Sequence, residues 1–381
     1  MRSLFAAAVL LAALPAPART LVVRSGQSIR AALARASAGD RIEVQPGTYR
    51  EGSPDELNAL TITKGGIELV GLSRPGHPVV LENAGAQSYG IWTSPANSAG
   101  PAPQADDEHP PCGLDGQTLR GFTLRGFTVR GFAIHGVHLA CVDGFAIVDN
   151  RSEDNLVYGL FPIVSRNGVM AGNVVTGTSL DAGIYVGQSD NVLISGNVVH
   201  GNLLGIEIEN SRGCSAVANE AFGNSFGIFV DILPFLERNT QERAFVAFNS
   251  VHDNNRANSA DPEDLLGVLP AGIGILVAGG RSTTVLANDV RRNEFTGIAV
   301  TSLCLGITLQ GGDCGGLGIE TDPVDDRIAG NRVTGNGTVP QANPFFDAIR
   351  ADLVWDGSGS GNCWSANQFG TSVPPQLPAC R

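Results

Sequence analysis

The sequence predicts an all-β solenoid, a parallel β-helix with a short N-terminal capping helix, and two recurring patterns carry this prediction. The first is a frame of two asparagines five residues apart, which occurs seven times and lacks its second asparagine only in the second frame. The frames begin at Asn150, Asn173, Asn197, Asn219, Asn249, Asn288 and Asn331. The early spacings are 23, 24 and 22 residues, and the later ones of 30, 39 and 43 fit one coil plus an inserted loop. A fixed period of this kind is typical of a repeat architecture.

The second pattern is glycine, an apolar residue, any residue and another apolar residue. It reads Gly183-Ile-Tyr-Val, Gly205-Ile-Glu-Ile and Gly227-Ile-Phe-Val in three successive repeats. Alternation with period two predicts short strands with one buried face. A repeat of about 22 residues has room for two or three such strands, which would stack in parallel from coil to coil. A leucine-rich repeat has a similar period but needs a leucine frame with a single asparagine, whereas Val, Ile and Gly dominate here.

The recurring asparagines are interpreted as structural, because stacked amides at the turns can hydrogen-bond along a column. The ends of a solenoid expose unpaired backbone and open core, so a terminal cap is also expected. Residues Ser28 to Ala36 form an amphipathic pattern, with Ile29 and Leu33 on one face and Ser28 as the N-cap.

The N-terminus predicts an exported protein, either periplasmic or secreted. Residues 1–18 combine Arg2, an apolar stretch and the cleavage-site pattern Ala16-Pro17-Ala18, as in a signal peptide. Residues 19–381 are expected to form one β-helix domain with inserted loops near 94–117, 232–242, 256–270 and 301–323 and a tail at 356–381. No later apolar run reaches the length of a membrane span.

Charge and cysteine content limit the partners and the compartment. The formal net charge of −12 argues against nucleic acid and anionic membranes as partners. Seven cysteines in an exported chain predict disulfides with one thiol left over. The expected pairs are Cys304–Cys314, Cys363–Cys380 and Cys112–Cys141, with Cys214 as a buried free thiol.

The stacking of coils predicts a candidate site, because residues one period apart become neighbours. Tyr185, Glu207 and Phe229 are spaced by 22 residues and fall in one outward column, while Glu209 and Asp231 fall in the next. Like charges this close either raise a carboxyl pKa or hold a cation. The predicted catalytic residues are Glu207, Glu209 and Asp231. The predicted substrate-binding residues are Tyr185, Phe229, Arg238 and Arg243, in a groove walled by the long inserts.

The outward strip formed by Tyr185, Glu207, Glu209, Phe229 and Asp231 could serve two catalytic reactions, and a non-catalytic role is the alternative. In a hydrolase, two carboxylates would serve as acid and as base or nucleophile on an extracellular glycan. In a lyase, the carboxylates would hold calcium and Arg238 or Arg243 would be the base. The alternative is a scaffold that docks an exported partner protein through its loops. No resident metal is predicted: His135 and His138 are expected to point differently, and no third ligand is evident.

The segment Gly183-Ile-Tyr-Val-Gly-Gln-Ser-Asp-Asn, followed by Gly205-Ile-Glu-Ile-Glu-Asn-Ser, resembles the exported bacterial parallel β-helix repeat proteins of the pectin-lyase-like superfamily. The resemblance implies a right-handed β-helix and supplies no catalytic residues. Enzymes of this superfamily act on acidic polysaccharides, but their signatures do not appear. The mannuronan epimerase motif Asp-Pro-His-Asp has only the counterpart Asp261-Pro262-Glu263-Asp264, which lacks the histidine base.

Overall fold

The computed structural model describes residues 18–93, 95 and 117–381. The predicted signal peptide, except for its last residue, lies outside these ranges. So do most of the predicted insert at 94–117 and Cys112, the expected partner of Cys141.

Three parallel sheets run the length of the described chain. Sheet 1 consists of the twelve strands Thr20–Val23, Arg41–Val44, Ile67–Gly71, Leu119–Arg125, Val142–Val148, Arg166–Ala171, Leu193–Ser195, Ser215–Val217, Phe245–Ala247, Thr284–Leu286, Arg327–Ala329 and Cys363–Ser365. Sheet 2 consists of the eleven strands Gly47–Tyr49, Val79–Glu82, Phe127–Arg130, Arg151–Glu153, Val174–Thr176, Val198–His200, Glu220–Phe222, Ser250–His252, Asp289–Arg291, Arg332–Thr334 and Gln368–Phe369. Sheet 3 consists of the eleven strands Asn58–Ile62, Tyr89–Thr93, His135–Ala140, Tyr158–Ile163, Ala182–Gly187, Leu204–Glu209, Phe226–Asp231, Ile273–Ala278, Thr296–Thr301, Ala351–Trp355 and Ser372–Val373.

Each coil runs from sheet 3 to sheet 1 to sheet 2 and then enters the next strand of sheet 3. The alternating inward residues fill a continuous core between the sheets, for example Ile184, Ile206 and Ile228 in register on three coils. The predicted parallel β-helix is confirmed.

The two asparagine columns are hydrogen-bonded ladders at two corners of the coil, as predicted. At the corner between sheets 1 and 2, Oδ1 of Asn197 accepts bonds of 2.9 Å from both the backbone N–H and the side-chain amide of Asn173. At the corner between sheets 2 and 3, Oδ1 of Asn224 accepts bonds from both the backbone N–H and the side-chain amide of Asn202. Thr178 takes the place of the missing second asparagine, and its N–H donates to Asn202 at 3.1 Å.

A third ladder at the corner between sheets 3 and 1 was not predicted. It is built from different polar residues, whose side chains accept the N–H of the preceding member on five of its steps. Thr283 contributes only its N–H, which donates to Asp326. Its members include Ser165, Ser189, Ser211, Gln241, Thr283, Asp326 and Asn362. The change of residue type from coil to coil conceals this column in the sequence.

Helices cap one end of the coil and cover one of its faces. The predicted N-terminal cap is confirmed as α1, Ile29–Arg35, whose Ser28 hydroxyl accepts a bond of 3.1 Å from the N–H of Ala31. The inserts contribute a 3-10 helix, Leu265–Val268, and two further helices, α2 (Leu303–Leu309) and α3 (Pro344–Ile349). The insert that contains α3 was not predicted, although Asn343 caps it and Pro344 occupies its first turn.

Two of the expected disulfides are present, Cys304–Cys314 and Cys363–Cys380. Among the described cysteines, Cys214 is a free and buried thiol, as predicted. Burial raises the pKa of the Cys214 thiol to about 11, which keeps it protonated and unreactive at neutral pH. Within the described ranges, no helix is long and apolar enough to cross a membrane.

Candidate functional site

The strand register of sheet 3 brings the predicted residues together. Tyr185 pairs with Glu207 and Glu207 with Phe229, so the three form one column across adjacent strands. Glu209 pairs with Asp231 in the next outward column. The two columns place three carboxylates on two neighbouring coils.

The three carboxyl groups form a compact, buried cluster, referred to below as the carboxylate cluster. One oxygen from each of Glu207, Glu209 and Asp231 lies within 4.8 Å of the other two. Their exposed fractions are 5%, 3% and 9% respectively. Three negative charges at this separation and burial repel one another strongly, so the cluster must retain a proton or hold a cation.

Neighbouring groups distinguish the three carboxyls. The Tyr185 hydroxyl donates a hydrogen bond of 2.7 Å to Oε1 of Glu209. Burial and the charge of Asp181 raise the pKa of Asp231 to about 7, although a hydrogen bond with Glu207 acts in the opposite direction. A bond between two carboxyl groups requires one of them to be protonated. Oδ1 of Asp231 is buried and has no hydrogen-bond partner among the described residues.

Asp181 was missed by the sequence reasoning, although its charge acts on Asp231. It lies at the turn into the strand Ala182–Gly187 and accepts a hydrogen bond of 2.8 Å from the Tyr158 hydroxyl. Asp181 lies two residues before Gly183 of the glycine pattern, and this position next to a sheet 3 strand could have identified it as a site residue.

The site differs from the open strip expected from the sequence. Tyr185 and Phe229 are almost completely buried, as are the carboxylates beside them. The reason is that the outward column continues as Leu276, Ala299 and Val354, so the outward face of sheet 3 is also apolar. A sheet that is apolar on both faces must be covered on both, and the inserts pack on this outer face.

The two predicted arginines have ion partners outside the carboxylate cluster. The Arg238 guanidinium lies 2.7 Å from a carboxylate oxygen of Asp190 and is largely buried. Arg243 is exposed, pairs with Glu242 at 2.9 Å, and lies at the turn into the strand Phe245–Ala247 of sheet 1. The structure therefore places Arg243 on a different sheet from the carboxylates.

An aromatic column extends from the cluster along sheet 3. His138 is in register with Trp92 on one side and Phe161 on the other, and Phe161 contacts Tyr185 ring to ring at 4.7 Å. The expectation that His135 and His138 point differently is wrong: their Nδ1 atoms are 3.0 Å apart. Burial lowers the pKa of both imidazoles well below the usual value, so both are neutral at physiological pH.

The geometry can be compared with known proteins. The family described as right handed beta helix region matches residues 135–314. The chain has the right-handed parallel β-helix fold. No curated protein sequence matches this β-helix protein significantly.

Solved structures resemble the β-helix protein over most of its length. The A-module of mannuronan C-5 epimerase AlgE4 from Azotobacter vinelandii superposes with a TM-score of 0.62 at 16% identity, covering 89% of this chain and 90% of that chain. The AlgE6 A-module from the same organism gives 0.60 at 16% identity, covering 92% and 96%. A double mutant of the periplasmic alginate epimerase AlgG gives 0.51 at 16% identity, covering 91% and 84%. Identities this low establish a shared fold alone.

Proposed function

We propose that this β-helix protein is exported, binds an extracellular glycan at the carboxylate cluster and hydrolyses a glycosidic bond there. The observation that carries the proposal is the convergence of Glu207, Glu209 and Asp231 within 4.8 Å on one sheet face. Paired carboxyl groups are the usual catalysts of glycoside hydrolysis. The solved structures with the same fold are named as epimerases of alginate or mannuronan, which supports a glycan as the ligand class.

The carboxyl groups can be given distinct roles. Asp231 is suited to be the general acid, because a pKa of about 7 lets it hold a proton at neutral pH. Glu207, on the adjacent strand, is the nucleophile that attacks the anomeric carbon. Carboxyls in retaining enzymes are about 5–5.5 Å apart and in inverting enzymes about 6.5–9.5 Å, so the close spacing here favours retention.

The reaction would then proceed in two balanced steps. In the first, Glu207 forms a bond to the anomeric carbon while the glycosidic oxygen leaves with the proton of Asp231. In the second, Asp231 takes a proton from water, and the resulting oxygen nucleophile displaces Glu207. Glu209, oriented by Tyr185, would stabilise the positive charge that develops on the sugar ring.

The lytic alternative has less support. A lyase needs a base that abstracts a proton from the sugar ring, and Arg238 or Arg243 was expected to provide it. Both guanidinium groups are instead engaged in ion pairs, Arg238 with Asp190 and Arg243 with Glu242.

Calcium is a second candidate occupant of the cluster. Calcium binds six to eight oxygen ligands at about 2.3–2.6 Å, and three carboxylates with this spacing could supply part of that set. The unpartnered Oδ1 of Asp231 fits this role. Bound calcium would let the acidic cluster accept an anionic sugar, whereas a free cluster would favour neutral sugars.

A glycan array tests the proposal. The wild type and the variants Glu207→Gln and Glu209→Gln would be applied to neutral and acidic glycans, once with calcium and once with a chelator. Asp326→Asn is the matched control, since it changes a buried carboxyl group in the third ladder, two coils beyond Asp231. We expect binding by the wild type and the control and at least tenfold weaker binding by both glutamine variants.

Undiminished binding by both glutamine variants would show that the carboxylate cluster does not bind the glycan. Binding that requires calcium would favour the cation role, and binding that survives the chelator would favour hydrolysis by free carboxyl groups. A wild-type protein that binds no glycan would overturn the proposal and favour the scaffold alternative.

A further inference from the structure

A cavity of about 90 Å³ lies on the outward face of sheet 3, next to the carboxylate cluster. Leu276 and Ala299 are on its floor, Leu266 of the 3-10 helix and Leu305 of α2 are on its roof, and Phe346 of α3 is on one side. Three separate inserts therefore converge on one space.

The lining is almost entirely apolar, with a few polar atoms at defined points. Among the described residues that line it, Asp231 is the one ionisable side chain. Oδ1 of Asp231 and Oγ1 of Thr296 are both buried, and neither atom has a hydrogen-bond partner in the part of the chain that the structure describes. An apolar cavity with a few convergent polar groups is the usual form of a small-molecule site.

The roof is fixed in place by contacts between the inserts. The Gln310 side-chain amide donates a hydrogen bond of 2.9 Å to the carbonyl of Glu263, which ties the end of α2 to the segment before the 3-10 helix. The Cys304–Cys314 disulfide closes the loop that follows α2. Covering an apolar sheet needs only close packing, and an unfilled void is destabilising. The cavity is therefore more than a by-product of covering the sheet.

We propose that this cavity binds a compact alkyl or aryl group, which is the aglycone of the glycoside. This inference rests on the proposed function, because it places the sugar at the carboxylate cluster. Asp231 belongs to both the cluster and the cavity wall. A sugar on one side of Asp231 and an apolar group on the other would bring the glycosidic oxygen to the acid that protonates it. The apolar group would then leave as a neutral alcohol or phenol.

Binding of simple alcohols to the whole mature chain tests the cavity without any sugar. We expect hexan-1-ol to bind about tenfold or more tighter than propan-1-ol in calorimetric titrations, because each buried methylene adds to affinity. Ala299→Leu should fill the cavity and remove this chain-length dependence. Leu193→Ala, on the exposed face of sheet 1, is the control and should bind both alcohols like the wild type.

A second cavity variant keeps the test decisive if Ala299→Leu does not fold. Leu266→Ser changes the roof from a partly buried position and should also weaken hexan-1-ol binding about tenfold. Equal binding of the two alcohols by the wild type, or unchanged binding by both cavity variants, would overturn the cavity assignment. Alcohol binding by a chain that binds no glycan would overturn the proposed function and leave the cavity as an apolar binding site. Glycan binding without alcohol binding would overturn the cavity assignment and leave the proposed function standing.

Discussion

The hydroxyl of Tyr185 donates a hydrogen bond of 2.7 Å to Oε1 of Glu209 on the adjacent strand of sheet 3. Tyr185→Phe removes this bond and leaves a buried carboxyl without one of its donors. Hydrogen bonds to charged groups are worth about 1.5–3 kcal/mol, so we expect the free energy of unfolding in urea to fall by roughly 2 kcal/mol.

Tyr49→Phe is the matched control for this experiment. The Tyr49 hydroxyl donates a bond of the same length, 2.7 Å, but to the neutral carbonyl of Gln45. A neutral bond contributes about 1 kcal/mol. Equal losses for the two variants would contradict an ionised Glu209 in the folded chain.

The buried Asp326 in the third ladder should make stability depend on pH. Burial raises its pKa to about 7 in the folded chain, against about 3.9 in an unfolded one. The contribution of protonated Asp326 to folding stability is fully present below pH 4. It is lost as the pH rises towards 7, because in this range the unfolded chain releases the proton that the folded chain retains. A difference of about three pKa units corresponds to about 4 kcal/mol.

Asp326→Asn should remove this dependence, since an amide does not titrate. As the pH is raised from 4 to 8, we expect the free energy of unfolding of the variant to increase relative to that of the wild type by up to about 4 kcal/mol. Asp143→Asn is a control of opposite sign, because hydrogen bonding from Asn167 lowers the pKa of Asp143. A pH-independent difference between Asp326→Asn and the wild type would show that Asp326 is ionised in the folded chain.

The asparagine ladders should dominate local stability. Asn254 is fully buried, donates to the carbonyl of Ala221 at 3.1 Å, and accepts from the side-chain amide of Asn224 at 2.9 Å. Asn254→Ala leaves these groups buried and unpaired, so we expect a loss of roughly 3 kcal/mol in denaturant unfolding. Thr178→Asn, which restores the missing ladder member, should cost nothing. A loss below about 0.5 kcal/mol for Asn254→Ala would contradict the structural reading of the ladder.

The residue before each first asparagine has a left-handed backbone, and Phe248 occupies this position with a φ of 57° and 59% exposure. Gly172, Gly196 and Gly330 fill the same position in other coils. Phe248→Gly relieves the steric cost of that conformation, and we expect a net gain of roughly 0.5–1 kcal/mol by thermal or denaturant unfolding. Ser250→Gly, within the adjacent strand of sheet 2, is the control and should be destabilising.

The columns of neighbouring residues could be predicted from the sequence because the period alone determines which residues meet. Tyr185, Glu207 and Phe229 are in register for the same reason that the asparagines stack. The N-terminal cap was also predictable, since Ser28 and the apolar face of α1 are local signals.

The burial of the site could not be predicted from the period. It depends on inserts that pack from distant parts of the sequence, and their positions follow no repeat. A signal was nevertheless present: Phe229, Leu276 and Val354 are apolar at outward positions on strands whose inward positions are apolar too. The third ladder was hidden for another reason, because serine, glutamine, aspartate and asparagine can all supply the accepting oxygen.

Turnover of an oligosaccharide selected on the glycan array tests the role of the carboxylate cluster most directly. Product formation by the wild type and by Glu207→Gln would be followed by proton NMR at neutral pH, after both proteins are shown to unfold at the same temperature. We predict that the wild type releases a product that keeps the anomeric configuration of its substrate. Glu207→Gln should be slower by at least about a hundredfold. Equal turnover by the two proteins, or no turnover by the wild type, would contradict the account.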